Sequence, residues 1–113
     1  MFNTGVIRNS QDVGIFIRDV YHVTISSVQI FNNKSHGIFI GDNYDTRTGP
    51  ECLHFTGCTI RGSGGIGVFN SAVHHGNHLS MQACVLGPAN QNGNVNESFK
   101  NFTKSNDNVV YIK

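Results

Sequence analysis

Three aspartates and the cations around them carry whatever bond-breaking chemistry this sequence holds. Asp19 follows Ile17-Arg18, Asp42 follows Ile40-Gly41, and Asp45 lies just beyond the second. Two carboxylates held side by side serve as general acid and base, or as acid and nucleophile, in glycoside cleavage, with their separation deciding between the outcomes. Asp42, Asp45 and Asp19 are therefore the catalytic candidates. Arg18, Arg47 and Arg61 are placed to hold an acidic sugar or to neutralise an enolate in an elimination, and Glu51 adds a carboxylate beside them. The plainer reading of these residues is a set of solvated corner charges, because an acidic pair of this kind is not specific.

His22, Cys52 and His78 form a second group. They fall at one outward-facing position of three successive repeats, and imidazole, thiolate and imidazole suit zinc. Against a metal stand the straight row, which is not tetrahedral, and the missing fourth ligand. Outward polar decoration is the stronger reading. His74-His75, close to His78, make a local cluster in a corner where histidine simply tolerates water. No cofactor is implied.

The elements that position these groups are read from a repeat. Val20 to Ile40, Glu51 to Phe69 and Asn77 to Val95 overlay as imperfect copies, and Ile7, Ile30, Ile60 and Leu86 recur at intervals of 23, 30 and 26 residues. A period in this range marks a solenoid. Within each copy the apolar residues alternate with period two, which specifies strands. Val23 and Ile25 match Leu53 and Phe55, then Leu79 and Met81; after a two-residue corner, Val28 and Ile30 match Cys58 and Ile60, then Cys84 and Leu86. A third alternation is Ile15 and Ile17, Ile38 and Ile40, then Ile66 and Val68.

Three strands per repeat with corners between them describe a parallel β-helix whose turns stack at about 4.8 Å. Equivalent inward residues then form ladders: Val28, Cys58 and Cys84 in one, Ile30, Ile60 and Leu86 in the next. Cys58 and Cys84 read as buried free thiols, since a parallel ladder is poor geometry for a bridge, while Cys52 precedes an inward leucine and points outward. An odd, outward thiol fits a reducing site of synthesis. The longer second interval is an insertion at Asp42 to Gly49, a surface loop.

Composition agrees. Only 13% of residues are charged, prolines number 2 and glycines 13, and asparagine is abundant, as corners in left-handed conformations require. A net charge of +1 without a basic run argues against nucleic acid as the main partner. No apolar run is long enough for membrane insertion, and the start lacks the regions of a signal peptide.

The division expected is residues 1–95 as about three to four turns of parallel β-helix and 96–113 as a C-terminal segment, a cap or an intersubunit arm ending in the strand Val109 to Ile112. Two open ends of a short stack demand caps or self-association. The first copy starts almost at Met1, so the N-terminal end looks cut, as in a piece of a longer protein.

The Asn/Gly-rich repeats, best seen in Asn32-Asn33-Lys34-Ser35-His36-Gly37-Ile38-Phe39-Ile40-Gly41-Asp42, resemble the right-handed parallel β-helix proteins of the pectin-lyase-like superfamily, over roughly residues 5 to 95. That group includes pectate lyases, polygalacturonases, alginate epimerases and bacteriophage tailspikes. His36-Gly37 is similar to part of the Gly-His-Gly motif of polygalacturonases, but Ser35 stands at its first glycine and the accompanying aspartate motifs are absent, so those catalytic roles are not carried over. Calcium-dependent pectate lyases find no counterpart here either.

Within the superfamily the likeness is greatest to tailspikes. It implies a homotrimer assembled in the host cytoplasm, located in the virion tail, that binds bacterial surface polysaccharide and in many cases cleaves it. Tyr44 and Phe69 are placed to stack on sugar faces, with Asn, Asp and Arg for the hydroxyls. Two other expectations stand beside it. One is a free-standing, secreted polysaccharide lyase, glycoside hydrolase or epimerase; the other is a structural shaft or trimerisation module without a ligand.

Overall fold

The computed structural model describes residues 2–42, 50, 52–71, 78–86, 99–100, 103–106 and 110–112, and all its regular elements are strands. Short period-two runs broken by Gly, Asn and Ser leave no stretch long enough for an amphipathic helix. The strands fall into two sheets. β1 (Phe2–Arg8), β3 (His22–Phe31), β5 (Cys52–Thr56), β6 (Thr59–Arg61), β8 (His78–Gln82) and β9 (Val85–Leu86) belong to the first. β2 (Ile15–Ile17), β4 (Ile38–Ile40), β7 (Val68–Asn70) and β10 (Phe99–Lys100) form the second, in the order β10-β7-β4-β2. Each repeat lies parallel to the one before it, an arrangement compatible with a β-solenoid.

Register follows the sequence spacing in the first sheet: Ile7 pairs with Ile30, Ile30 with Ile60 and Ile60 with Leu86. Ile25, Phe55 and Met81 likewise pair in succession, and all three are buried. The second sheet corrects one expectation. Ile38 pairs with Val68 rather than Ile66, so Ile40 faces Asn70, and both of those are 0% exposed. Ile66, only half-buried, lies in the preceding corner.

Corners are made by residues in the left-handed region at equivalent positions. Thr4, Ser27, Gly57 and Ala83 have φ of 64°, 56°, 65° and 52°, and Asn9, Asn32 and Gly62 have 59°, 56° and 65°. One such residue bends the chain without adding length, so the strands on either side keep their register. In β3 the strand runs straight through its bend at Ser27, where the sequence reads as two strands and a corner.

The core lies between the sheets and is built from stacked Ile, Val, Leu, Phe55 and Met81, with Cys58 buried among them. Asn33 and Ser63 extend this interior at the next corner; both are buried, and Ser10 N–H donates to Asn33 Oδ1 at 3.0 Å. After β10 the direction changes. β12 (Val110–Ile112) runs antiparallel along β8, with β11 (Thr103–Asn106) antiparallel beside it.

Candidate functional site

A tetrapeptide recurs at three strands of the second sheet, β2, β4 and β7: Gly14-Ile15-Phe16-Ile17, Gly37-Ile38-Phe39-Ile40 and Gly67-Val68-Phe69-Asn70. Its first position must lack a side chain where the next repeat presses against it. A β-carbon on Gly37 would stand 2.6 Å from Gly67 O and 2.9 Å from Ile60 Cγ2. Positions two and four point into the core. Position three points outward, so the three phenylalanines stack as a column on the outer face.

Ring centroids of Phe16 and Phe39 are 5.3 Å apart, and those of Phe39 and Phe69 are 5.5 Å apart, both tilted pairs. His36 leans on the column, 4.9 Å from Phe69 and 5.8 Å from Phe39. At the other end Arg18 Cζ lies 5.1 Å from the centre of Phe16, a cation over a ring face. A shallow groove of about 340 Å³ opens beside the column, lined by Asp12, Val13, Phe16, Ser35, His36 and Phe39. Apolar rings flanked by a carboxylate, a hydroxyl and an imidazole are what a sugar ring requires, since it has one C–H face and a hydroxyl rim.

Asp12, Ser35 and His36 are the residue types of a nucleophilic relay, but the imidazole is committed elsewhere. Ile66 N–H donates to His36 Nδ1 at 2.9 Å, which places the proton of the neutral ring on Nε2. His36 therefore presents a donor, not a base. Binding chemistry fits this groove and a serine nucleophile does not.

Asp19 and Asp42 come two residues after the paired Ile17 and Ile40 and so occupy neighbouring levels, as the spacing predicts. Asp19 has φ of 58°, and its Oδ2 is 3.5 Å from Arg18 Nε; Asp42 is half-buried. Tyr44, Asp45, Arg47 and Glu51 lie outside the described residues. Arg61 is at a different corner, in the first sheet, where its guanidinium stands 5.6 Å from the Phe31 ring. The structure thus places Arg18 with Asp19 and sets Arg61 apart.

Main-chain register puts His22 beside Cys52 and Cys52 beside His78, with His22 exposed and Cys52 half-buried. The His78 side chain, like His74 and His75, is outside the described set. Among the described residues no group of three His, Cys, Asp or Glu is arranged to hold a metal ion. No helix among them is long and apolar enough to cross a membrane.

The phenylalanine column is the feature that sequence reasoning passed over, apart from naming Phe69 as a stacking residue. Its signal was the threefold Gly-x-Phe-x tetrapeptide, hidden by the misplaced register of the third copy. No protein-family model matches the chain, and neither the curated proteins nor the solved structures contain a significant match to it.

Proposed function

We propose that this chain is a right-handed parallel β-helix module of the pectin-lyase-like, tailspike-like kind that binds bacterial surface polysaccharide along the outer face of its second sheet. The observation that carries this reading is the column Phe16, Phe39 and Phe69, with ring spacings of 5.3 and 5.5 Å and a polar groove alongside. A repeated ring platform along the stacking axis suits a polymer better than a compact metabolite, because each level offers the same apolar contact. Arg18 at one end and Asp12 in the groove add hydrogen bonding and charge.

Polysaccharides from bacterial surfaces, arrayed and then titrated by calorimetry, test the reading. Phe39→Ala should weaken binding by about tenfold, on the order of 1.4 kcal/mol. Phe31→Ala, an aromatic change in the other sheet, should leave it unaltered. Binding that survives Phe39→Ala overturns the assignment of the face, and no binding to any glycan favours a structural shaft.

The placement of Asp19 and Asp42 on neighbouring levels supports a second reading, cleavage of the bound polymer. Release of reducing ends or unsaturated sugars, lost in Asp42→Asn with binding retained, would establish it.

A further inference from the structure

We propose that Cys58 and Cys84 form a two-coordinate site for monovalent copper, Cu(I), with the ion held in a straight line between the two sulfurs. The site lies at a bend of the first sheet and the phenylalanine column lies on the second, so this site stands or falls apart from the polysaccharide reading.

The two cysteines occupy the same place on adjacent levels. Each follows a left-handed residue, Gly57 with φ of 65° and Ala83 with 52°, and each precedes one of the paired residues Thr59 and Val85. Their sulfurs also repeat the same contacts. Cys58 Sγ lies 3.6 Å from the carbonyl oxygen of Thr56, two residues back, and 3.6 Å from that of Ile25, on the preceding level. Cys84 Sγ lies 3.4 Å from the carbonyl oxygen of Gln82, two residues back, and 3.5 Å from that of Phe55, on the preceding level. Thr56 pairs with Gln82 and Ile25 with Phe55. The two sulfurs are therefore related by one step of the stack, about 4.8 Å.

That spacing selects the chemistry. A disulfide needs its sulfurs about 2.05 Å apart, so closing one would drag two levels of main chain out of their ladder. A soft ion bonded linearly to both sulfurs needs twice a metal–thiolate bond, about 4.6 Å at the zinc–sulfur length of about 2.3 Å. The stack supplies that separation as it stands.

The donor set then narrows the ion. Thiolates select Cu(I), which accepts two ligands in a line, whereas a structural zinc takes four. Among the described residues no third His, Cys, Asp or Glu joins the pair to hold a metal. Val28, at the same place one level back, continues the ladder with an apolar side chain that is 0% exposed. Cys58 is 1% exposed and Cys84 is half-buried, so the ion enters past Cys84 and is then shielded by the core.

Binding exchanges two protons for one ion. Both S–H bonds break, two Cu–S bonds form, the protons pass to solvent and the copper keeps its oxidation state. The resulting bis-thiolate carries one negative charge, which Cys58 N–H, donating to Cys84 Sγ at 3.4 Å, helps to hold.

Anaerobic titration of the intact chain with Cu(I), in competition with a chromogenic Cu(I) chelator, should load one ion per chain. X-ray absorption of the loaded protein should show two sulfur neighbours and no nitrogen or oxygen. Cys84→Ser keeps the shape of the side chain and should raise the Cu(I) dissociation constant more than about a hundredfold, beyond what the loss of an outer-shell partner costs. Cys52→Ser, which removes the remaining thiol, should bind as the wild type does. The absorption spectrum of the wild type decides the matter even where a variant fails to fold. No loading, three or more neighbours around the copper, loading that survives in Cys84→Ser, or a Cys58–Cys84 disulfide formed under oxidised glutathione would each overturn the proposal.

Discussion

A β-carbon placed on Gly14 would stand 2.6 Å from the carbonyl oxygen of Gly37, the residue one level further along the stack, and 2.6 Å from Asn33 Nδ2. The same contact recurs between Gly37 and Gly67 O, also at 2.6 Å, where the obstacle is main chain and cannot swing aside. Gly37→Ala should therefore force the levels apart and destabilise the fold by about 1–3 kcal/mol, the usual range for overpacking. Urea denaturation checks this. The phenylalanine column should loosen with it, because Gly37 fixes how closely β4 meets β7.

Opposite behaviour is expected at the bends. Ala83 and Ser27 hold φ of 52° and 56° at the position that Gly57 fills with 65°. A left-handed alanine is strained by about 1–2 kcal/mol, and glycine relieves that while losing part of the gain to chain entropy. Ala83→Gly should thus stabilise by about 0.5 kcal/mol, and Gly57→Ala should destabilise by about 1 kcal/mol. Thermal midpoints of the two variants, measured side by side, must move in opposite directions.

These bends also explain what could and could not be read in the sequence. The first sheet was legible because the alternation around Ile30, Ile60 and Leu86 sits between bends of constant length. The second sheet was not. Gly65-Ile66-Gly67-Val68-Phe69-Asn70 contains two overlapping alternations, and a slip of two residues leaves every side chain on its original face, so the pattern alone cannot choose between them. The apolar choice, Ile66 and Val68, put hydrophobic residues at both core positions. The protein instead takes Val68 and Asn70, which aligns residue 67 with Gly37, a position that must lack a β-carbon to clear Gly67 O at 2.6 Å. That requirement depends on how closely two backbones approach. For the candidate site, the neighbourhood of Asp19 and Asp42 was visible as spacing, whereas the engagement of His36 Nδ1 by Ile66 N–H joins residues thirty apart and leaves no local mark.

Ser63 Oγ is buried without a hydrogen-bond partner, as is Asn33 Nδ2 at the equivalent position one level back. A buried hydroxyl left unmatched costs about 1–3 kcal/mol, more than its van der Waals contacts return. Ser63→Ala should therefore stabilise the protein by about 1 kcal/mol. Asn33→Ala should do the reverse, because it also removes the acceptor of Ser10 N–H at 3.0 Å. Comparing the two denaturation midpoints separates an unmatched polar group from a matched one. A loss of stability in Ser63→Ala would mean that the hydroxyl has a bound water as its partner.

The Cys58 and Cys84 thiols stack on adjacent levels, with Cys58 N–H donating to Cys84 Sγ at 3.4 Å. Burial pushes the Cys84 thiol above its ordinary value of 9.0; the hydrogen bond from Cys58 opposes this and the neighbouring thiol adds to it. Below pH 9 both the folded and the unfolded chain keep the proton, and the group adds no pH dependence. Above it the unfolded chain releases the proton first, so folding stability falls as pH rises toward the folded value. Cys84→Ala should flatten that alkaline decline without changing its position near pH 7, where the thiol is protonated in both states. Urea midpoints of the wild type and the variant at pH 7, 8, 9 and 10 give the comparison, since tyrosines and lysines contribute equally to both. An unchanged slope in the variant would show that the Cys84 thiol titrates no differently in the folded protein than in the unfolded one.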